Sequence, residues 1–303
     1  MPAKKGLPER SKPKKLCNLF DIDEEAGQVV EVELSELHGF RNHPFKVLDD
    51  EKMEQMIESV RENGIIHPGL ARPRDQGGYE LISGHRRKHA AEAAGLETMP
   101  MVIRDLTDDE AIVVMVDANL QREEIQPSEK AFAYKMKLEA IDRKMGRPKK
   151  GQVVPEFQGM KSTEIVAEGT GESYKQIQRY IRLTELIPDL LDMTDQKKLK
   201  LNPAVELSYI TEDEQKALLE EIREGSPIPS LYQAKQIKRL SSEGMCTKEA
   251  IHAILAVAPV KDRSVTIKQE KIMKFFSSDM SDKEIEDTIY RVLEEWYMSQ
   301  KGA

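Results

Sequence analysis

Beginning at Val29 the chain alternates: VVEVEL places apolar side chains at every second position, the period of a strand. The period then changes. In HPFKVLDDEKMEQMIESVRENG a turn leads into Met53, Met56, Ile57 and Val60, which share one face at helical spacing, with Gly64 as the C-cap. IIHPGLARP is predicted as a second strand, Gly77-Gly78 as a turn and YELI as a third strand. A helix follows from about His85, and MPMVIRDL closes the segment as a fourth strand. Strands alternating with helices predict an α/β domain over residues 27–126.

After Leu106 the helical period takes over. TDDE (Thr107 to Glu110) is a capping box opening a helix through Asn119, and Pro127 occupies the first position of another through about Ile141. The Gly- and Pro-rich stretch from Gly146 to Gln158 is predicted as a loop, and helices resume to about Leu240, punctuated by Pro188, Pro203, Pro227 and Pro229. Residues 127–243 therefore form an all-α middle domain and 244–303 a small α-rich C-terminal module. In that module SVTIK is a strand candidate, and SDKE caps a helix striped by Ile285, Ile289, Val292, Leu293 and Trp296. Packing within its own module is the default for that stripe, with a dimer contact as the alternative. Residues 1–26 lack apolar periodicity, carry three prolines and are predicted as a tail.

Composition narrows the class. A third of the residues are charged, and apolar runs such as Ala253 to Ala258 fall far short of the roughly 20 residues of a membrane span. Cys17 and Cys246 are the only cysteines, too few for a disulfide framework or zinc site, which fits a reducing cytosol. The net charge of −8 conceals two basic patches. Six of the first fifteen residues are Lys or Arg, among them Lys4, Lys5 and Arg10, and DRKMGRPKKG has five bases against one acid. Either patch can meet phosphate, and either can be a solvated tail or linker.

STEIVAEGTGESYKQIQRYIRL, Ser162 to Leu183, has helix-turn-helix spacing: Ala167 where the helices cross, Gly171 in the turn, and Ile177 and Ile181 as anchors. Ser173 is the N-cap of a second helix that exposes Tyr174, Lys175, Gln178, Arg179 and Arg182. Gln and Arg can read base edges, whereas Lys175 and Arg182 suit phosphate contacts. The bland alternative is a helical hairpin with a polar face. MGRPKKG, with Arg147, Lys149 and Lys150, resembles an AT-hook core that can lie in a narrow minor groove, although a linker is the simpler reading.

ELISGHRRKHAAEAAG delivers a strand to Ser83-Gly84 and starts a helix there. Gly84 permits close approach, the first helical N–H groups are unpaired, and Arg86 and Arg87 add forked donors suited to phosphate. Arginine at a helix start opposes the dipole by up to about 1 kcal/mol unless an anion is bound.

The run from Ile65 through Ala133 resembles the ParB (ParB/RepB) family of chromosome and plasmid partition proteins. IIHPGLARP is similar to that family's first nucleotide box, SGHRRKHA to its second, and NLQREEIQPSEKAFAY to its third, in the family's order. The resemblance implies a multidomain protein: a ParB/sulfiredoxin-like α/β N-terminal domain that binds CTP with Mg²⁺, followed by a helix-turn-helix for a palindromic centromere-like site. It further implies a homodimer that closes around double-stranded DNA, a ParA-type ATPase contacted through the tail, and a cytoplasmic, nucleoid-associated location with no membrane role. Carried over by position, Ser83, Gly84, Arg86 and Arg87 would hold the triphosphate, Arg72 would line the base end, and Asn119 and Arg122 would approach phosphate and metal. His85 and Ala118 stand where the family has glutamates, so the resemblance implies at most weak CTP hydrolysis.

Two other classes share the fold. A transcriptional regulator without partition activity needs the same DNA-binding half. An enzyme is the second: sulfiredoxin is similar, but its nucleophilic cysteine corresponds to Gly84, and no metal-ligand spacing near Glu80, His85 and His89 supports a nuclease or kinase.

Overall fold

The alternating segments form one five-stranded sheet in a computed structural model that describes residues 28–122, 124–145, 161–167, 170–257, 272–277 and 280–301. The strands are β1 (Val29–Glu33), β2 (Leu37–Gly39), β3 (Gly69–Pro73), β4 (Tyr79–Ser83) and β5 (Thr98–Ile103), in the order β1-β5-β3-β4-β2. β3 pairs antiparallel with β4 through the Gly77-Gly78 turn and parallel with β5, and β2 runs parallel to β4. No periodicity predicts β2: it is three residues long and follows a 3₁₀ turn at Leu34–Glu36.

Helices cover both sheet faces because successive strand side chains point opposite ways. Leu81 and Ile82 are both fully buried. Leu81 joins Val32, Leu37, Met99, Met101 and Ala91, the last of these from α2 (His85–Ala94). Ile82 joins Phe40 and Phe45 with Ala111, Met115 and Val116 of α3 (Asp108–Leu120) and Ala133 of α4 (Pro127–Met145). Each of the Val, Leu, Ile, Phe and Met side chains among these contributes about 1.5–3 kcal/mol by leaving water. α1 (Glu51–Asn63) packs on α2 through Met53, Val60 and Ala90.

Thr107 and Glu110 close the predicted capping box at the start of α3. α4 begins at Pro127 as predicted and continues past Ile141 to Met145. Its Lys137 ammonium, almost fully buried, pairs with Asp117 of α3. α4 then supports α5 (Ser162–Ala167) and α6 (Tyr174–Arg182), which are joined through Gly171 at a φ of +72°. One buried cluster runs through all four helices: Val113 of α3, Tyr134, Ala140 and Ile141 of α4, Ile165 and Val166 of α5, and Ile177 of α6.

Five further helices follow: α7 (Pro188–Asp195), α8 (Leu201–Leu207), α9 (Glu212–Arg223), α10 (Leu231–Ser242) and α11 (Lys248–Ala256). Their core includes Leu190, Ala204, Leu207, Leu218, Ile237, Ile251 and Leu255. Through Ile251 and Leu255, α11 extends the helical layer beyond Leu240, where the periodicity fades.

The chain divides into two units, Met1–Pro259 and Val260–Ala303. In the second, Ser281 and Glu284 cap α12 (Asp282–Lys301). Ile285 of its stripe is buried, whereas Val292, Leu293 and Trp296 are each more than half exposed. SVTIK lies outside the described residues. Among the described residues, no helix is long and apolar enough to cross a membrane.

Candidate nucleotide site and nucleic-acid interface

β4 ends at Ser83 and passes into α2 through Gly84, whose φ of +110° is one that L side chains rarely adopt. A Cβ at Gly84 would lie 3.3 Å from the Gly69 Cα and 3.4 Å from a terminal nitrogen of Arg87. The glycine therefore brings two backbones together above a guanidinium. Arg87 donates to the His67 and Pro68 carbonyls, both at 2.6 Å, and so ties the loop before β3 to the start of α2.

Arg86 reaches the other way. It donates at 3.2 Å to Asp50 Oδ1, the oxygen that also accepts from Met53 N and caps α1. Its Nε is buried with no hydrogen-bond partner. Beside it the His85 ring lies on His43, with centroids 3.9 Å apart and planes at 40°. His43 Nδ1 donates to the Phe45 carbonyl at 2.8 Å, which leaves Nε2 as its free nitrogen. The Nε2 atoms of both imidazoles are buried and unpartnered. Arg122, just beyond α3, places its guanidinium carbon 5.6 Å from the Phe45 ring centroid.

The electrostatics are one-sided. Burial pushes the His85 imidazole down to about 3, with His43, Arg122 and Lys88 adding to the effect. Burial likewise lowers His43, Arg87 and Arg122 from their ordinary values. The nearest carboxylates already have partners. Asp50 holds Arg86 and the start of α1, while Glu129 accepts from the backbone N–H groups of Lys46 at 2.8 Å and Gln126 at 3.1 Å. Half-buried guanidinium groups whose neighbouring carboxylates are already engaged form a receptor for an anion, so the phosphates of a nucleotide fit this chemistry.

For a magnesium ion the protein offers few oxygen ligands here: His85 and Ala118 stand at the two boxes, and Asn119, whose buried Nδ2 donates to the Met115 carbonyl at 2.8 Å, has its Oδ1 as the side-chain oxygen left to offer. Among the described residues no three His, Cys, Asp or Glu side chains converge.

Ser83 lies in β4 opposite Leu70, beside Gly84. Arg72 lies farther along β3, paired in register with Glu80, and does not join the cluster around His85. Its guanidinium is 2.6 Å from both Glu80 and Asp108 and donates to the Leu106 carbonyl at 3.0 Å. It walls a separate open cleft of about 1010 Å³ that also includes Arg143, itself paired with Asp109 at 2.7 Å. The sequence passed over His43 and Phe45, because HPF reads only as a turn. Their one signal is a histidine set between apolar and turn residues just upstream of a capped helix.

On α6, Ser173 caps the helix by accepting from Gln176 N at 3.2 Å, and Tyr174, Lys175 and Gln178 are exposed. The two arginines are held by α6 itself, by α8 and by the turn that follows α8. Arg179 donates to Gln176 Oε1 at 3.2 Å and to Asn202 Oδ1. Arg182 donates to the Ser208 carbonyl at 2.6 Å and lies over the Tyr209 ring at 4.2 Å. Tyr174, Lys175 and Gln178 thus form the open part of the predicted face. Arg147, Lys149 and Lys150, and Lys4, Lys5 and Arg10 of the tail, lie outside the described residues.

A family profile, the ParB N-terminal domain, matches residues 21–120. The chromosome-partitioning protein Spo0J of Thermus thermophilus is 32% identical over 196 residues, 65% of each chain. A nucleoid occlusion protein of Listeria innocua is 30% identical over 206 residues, 67% of this chain and 66% of the relative. The matched stretches thus span just under two thirds of these relatives. A C-terminally truncated chromosome-partitioning protein ParB from Caulobacter crescentus, complexed to the centromeric parS site, is 23% identical, with a TM-score of 0.42 over 69% of this chain and 98% of that one.

Proposed function

We propose that the chain, similar to the ParB N-terminal domain over residues 21–120 and to chromosome-partitioning relatives, is a ParB-type, site-specific DNA-binding partition protein whose hold on DNA is gated by CTP. The proposal gives the two ends of the first unit separate tasks. The anion receptor of His85, Arg86 and Arg122, with Ser83 and Gly84 at the helix start, takes the triphosphate. Arg87 supports it by bracing the loop of His67 and Pro68. The α5–α6 pair serves as a helix-turn-helix that enters the major groove with Tyr174, Lys175 and Gln178, while Arg179 and Arg182 position that face from behind. The basic segment with Arg147, Lys149 and Lys150 adds phosphate contacts. Dimerisation, a ParA-type ATPase partner for the tail and nucleoid association belong to the same proposal.

The observation that carries this reading is the buried cluster from Val113 to Ile177. Arg122 follows α3, α3 is locked to α4 by Lys137 and Asp117, and α4 packs directly on α5 and α6. Lys130 of α4 also pairs at 2.7 Å with Glu172, immediately before the N-cap of α6. A ligand that moves α3 must repack the support of α6, which is how an interior of fixed density transmits a change.

The test is a titration of all four nucleoside triphosphates, with and without DNA, while phosphate release is followed. CTP-selective binding that alters DNA retention, with little release, is expected. Rapid release would make the chain an enzyme, and indifference to every nucleotide would leave a plain DNA-binding regulator. The nucleoid occlusion name of the Listeria relative favours one second reading: site-specific DNA binding put to a use other than partition.

A further inference from the structure

The nitrogens around His85 share a property that the family boxes do not explain. Three of them, His43 Nε2, His85 Nε2 and Arg86 Nε, are buried without partners in one place, and they come from two separate segments of the chain. Arg122 adds a third segment, through its contact with Phe45 and its charge on both imidazoles. Buried polar atoms are ordinarily hydrogen-bonded, so three unpartnered nitrogens beside the Arg122 charge mark a place where an anion's oxygens can pair once each imidazole Nε2 carries a hydrogen. A carboxylate is not available. Asp50 and Glu129 are engaged, and Asp49 accepts from His89 at 2.7 Å.

We propose that His43 and His85, with Arg86 and Arg122, form a proton-coupled receptor for a terminal phosphoryl group, in which the anion enters together with one proton instead of with a protein-held divalent cation. The balance is simple: the anion's oxygens accept from Arg86 Nε and from both imidazole Nε2 atoms. Two neutral rings can each donate only if Nε2 carries the hydrogen, and His43 has already committed Nδ1–H to Phe45. Full pairing therefore requires one proton more than the empty site holds, taken from solvent.

The other charged group acting on the pair is Lys88 on α2, and Glu129 on α4, which acts on Arg122, is held by two backbone donors. In the empty site burial and the adjacent cations keep the imidazoles neutral. A bound dianion reverses that field. Affinity then rises as pH falls, approaching about tenfold per pH unit for one coupled proton.

The inference rests on the nucleotide reading only for the identity of the anion, and the experiment separates the two. Sulfate, which remains a dianion throughout, and CTP are each titrated into the full chain in EDTA from about pH 5.5 to 8, in two buffers of different ionisation enthalpy. Expected is uptake of about one proton with sulfate at the acid end, affinity rising toward about tenfold per pH unit, and loss of both in H43Q/H85Q. Because the buffer comparison uses the wild-type chain, it holds even if the double variant fails to fold. Heats independent of buffer and a flat affinity overturn the proposal, and so does the absence of any sulfate binding. CTP binding that requires Mg²⁺ and ignores pH overturns it while leaving the nucleotide reading intact. Proton-coupled sulfate binding with no CTP binding upholds the receptor and removes the nucleotide reading.

Discussion

His43 and His85 are in ring contact at 3.9 Å, yet neither bonds to the other and both keep a buried Nε2 without a partner. The pair joins the 40–50 loop to the start of α2, directly at the turn through Gly84. Its cost is an imidazole that refuses a proton.

That refusal fixes a pH dependence. His85 is held at about 3 in the folded chain, below its ordinary value near 6.5, so the unfolded chain binds the proton more readily. The contribution of this group is complete above about 6.5 and declines as pH falls toward 3, by at most about 1.4 kcal/mol per pH unit. Urea midpoints measured at neutral and mildly acid pH should therefore differ more for the wild type than for H85Q. Equal acid sensitivity in both would show that His85 titrates normally.

Gly84→Ala should cost about 1–2 kcal/mol, since it forces an L side chain to a φ of +110°. The new methyl also meets the Gly69 backbone at 3.3 Å, where little can yield. Chemical denaturation reads the loss, and hydrogen exchange should show it first in the loop held by Arg87.

Asp117→Asn leaves the Lys137 ammonium, 2% exposed, facing a weaker partner. Breaking a buried pair at one end costs about 3–5 kcal/mol, and the partial exposure of Asp117 places this one at the lower edge. Lys137→Met combined with Asp117→Asn should recover most of the stability. If the double variant is no more stable than D117N, the pair is not the lock between α3 and α4.

Two substitutions on α6 should separate reading from support. Lys175→Ala should weaken DNA binding and reduce the slope of log affinity against log salt by about one, with stability unchanged. Arg182→Ala should lower stability by about 1–2 kcal/mol, because it removes the donor to the Ser208 carbonyl and uncovers Tyr209. Equal effects of the two on stability would contradict this division.

The elements that were legible in the sequence are those with a strong local signal. The capping box at Thr107, Pro127 at the head of α4 and the Gly77-Gly78 turn all have chemistry that acts within four residues. So does Gly84, which a strand-to-helix turn requires. What the sequence concealed depends on distance. β2 exists because β4 offers it a parallel edge, and α11 because α9 and α10 leave a site for Ile251 and Leu255. His43 becomes part of the site only when the 40–50 loop folds over α2, and no spacing of residues 42 apart predicts a ring contact. Arg72 shows the same limit: the box motif gives no sign that strand register pairs it with Glu80.

The central claim is that the receptor at His85 and Arg86 and the face at Lys175 and Gln178 act on each other through α3 and α4. The most direct measurement is the affinity of the full chain for its DNA site with and without CTP, in the wild type and in R86A. CTP should shift DNA affinity or residence at least tenfold in the wild type and leave R86A unmoved, while the two bind DNA alike when CTP is absent. Superimposable DNA isotherms with and without CTP in a wild-type chain that binds CTP would contradict it.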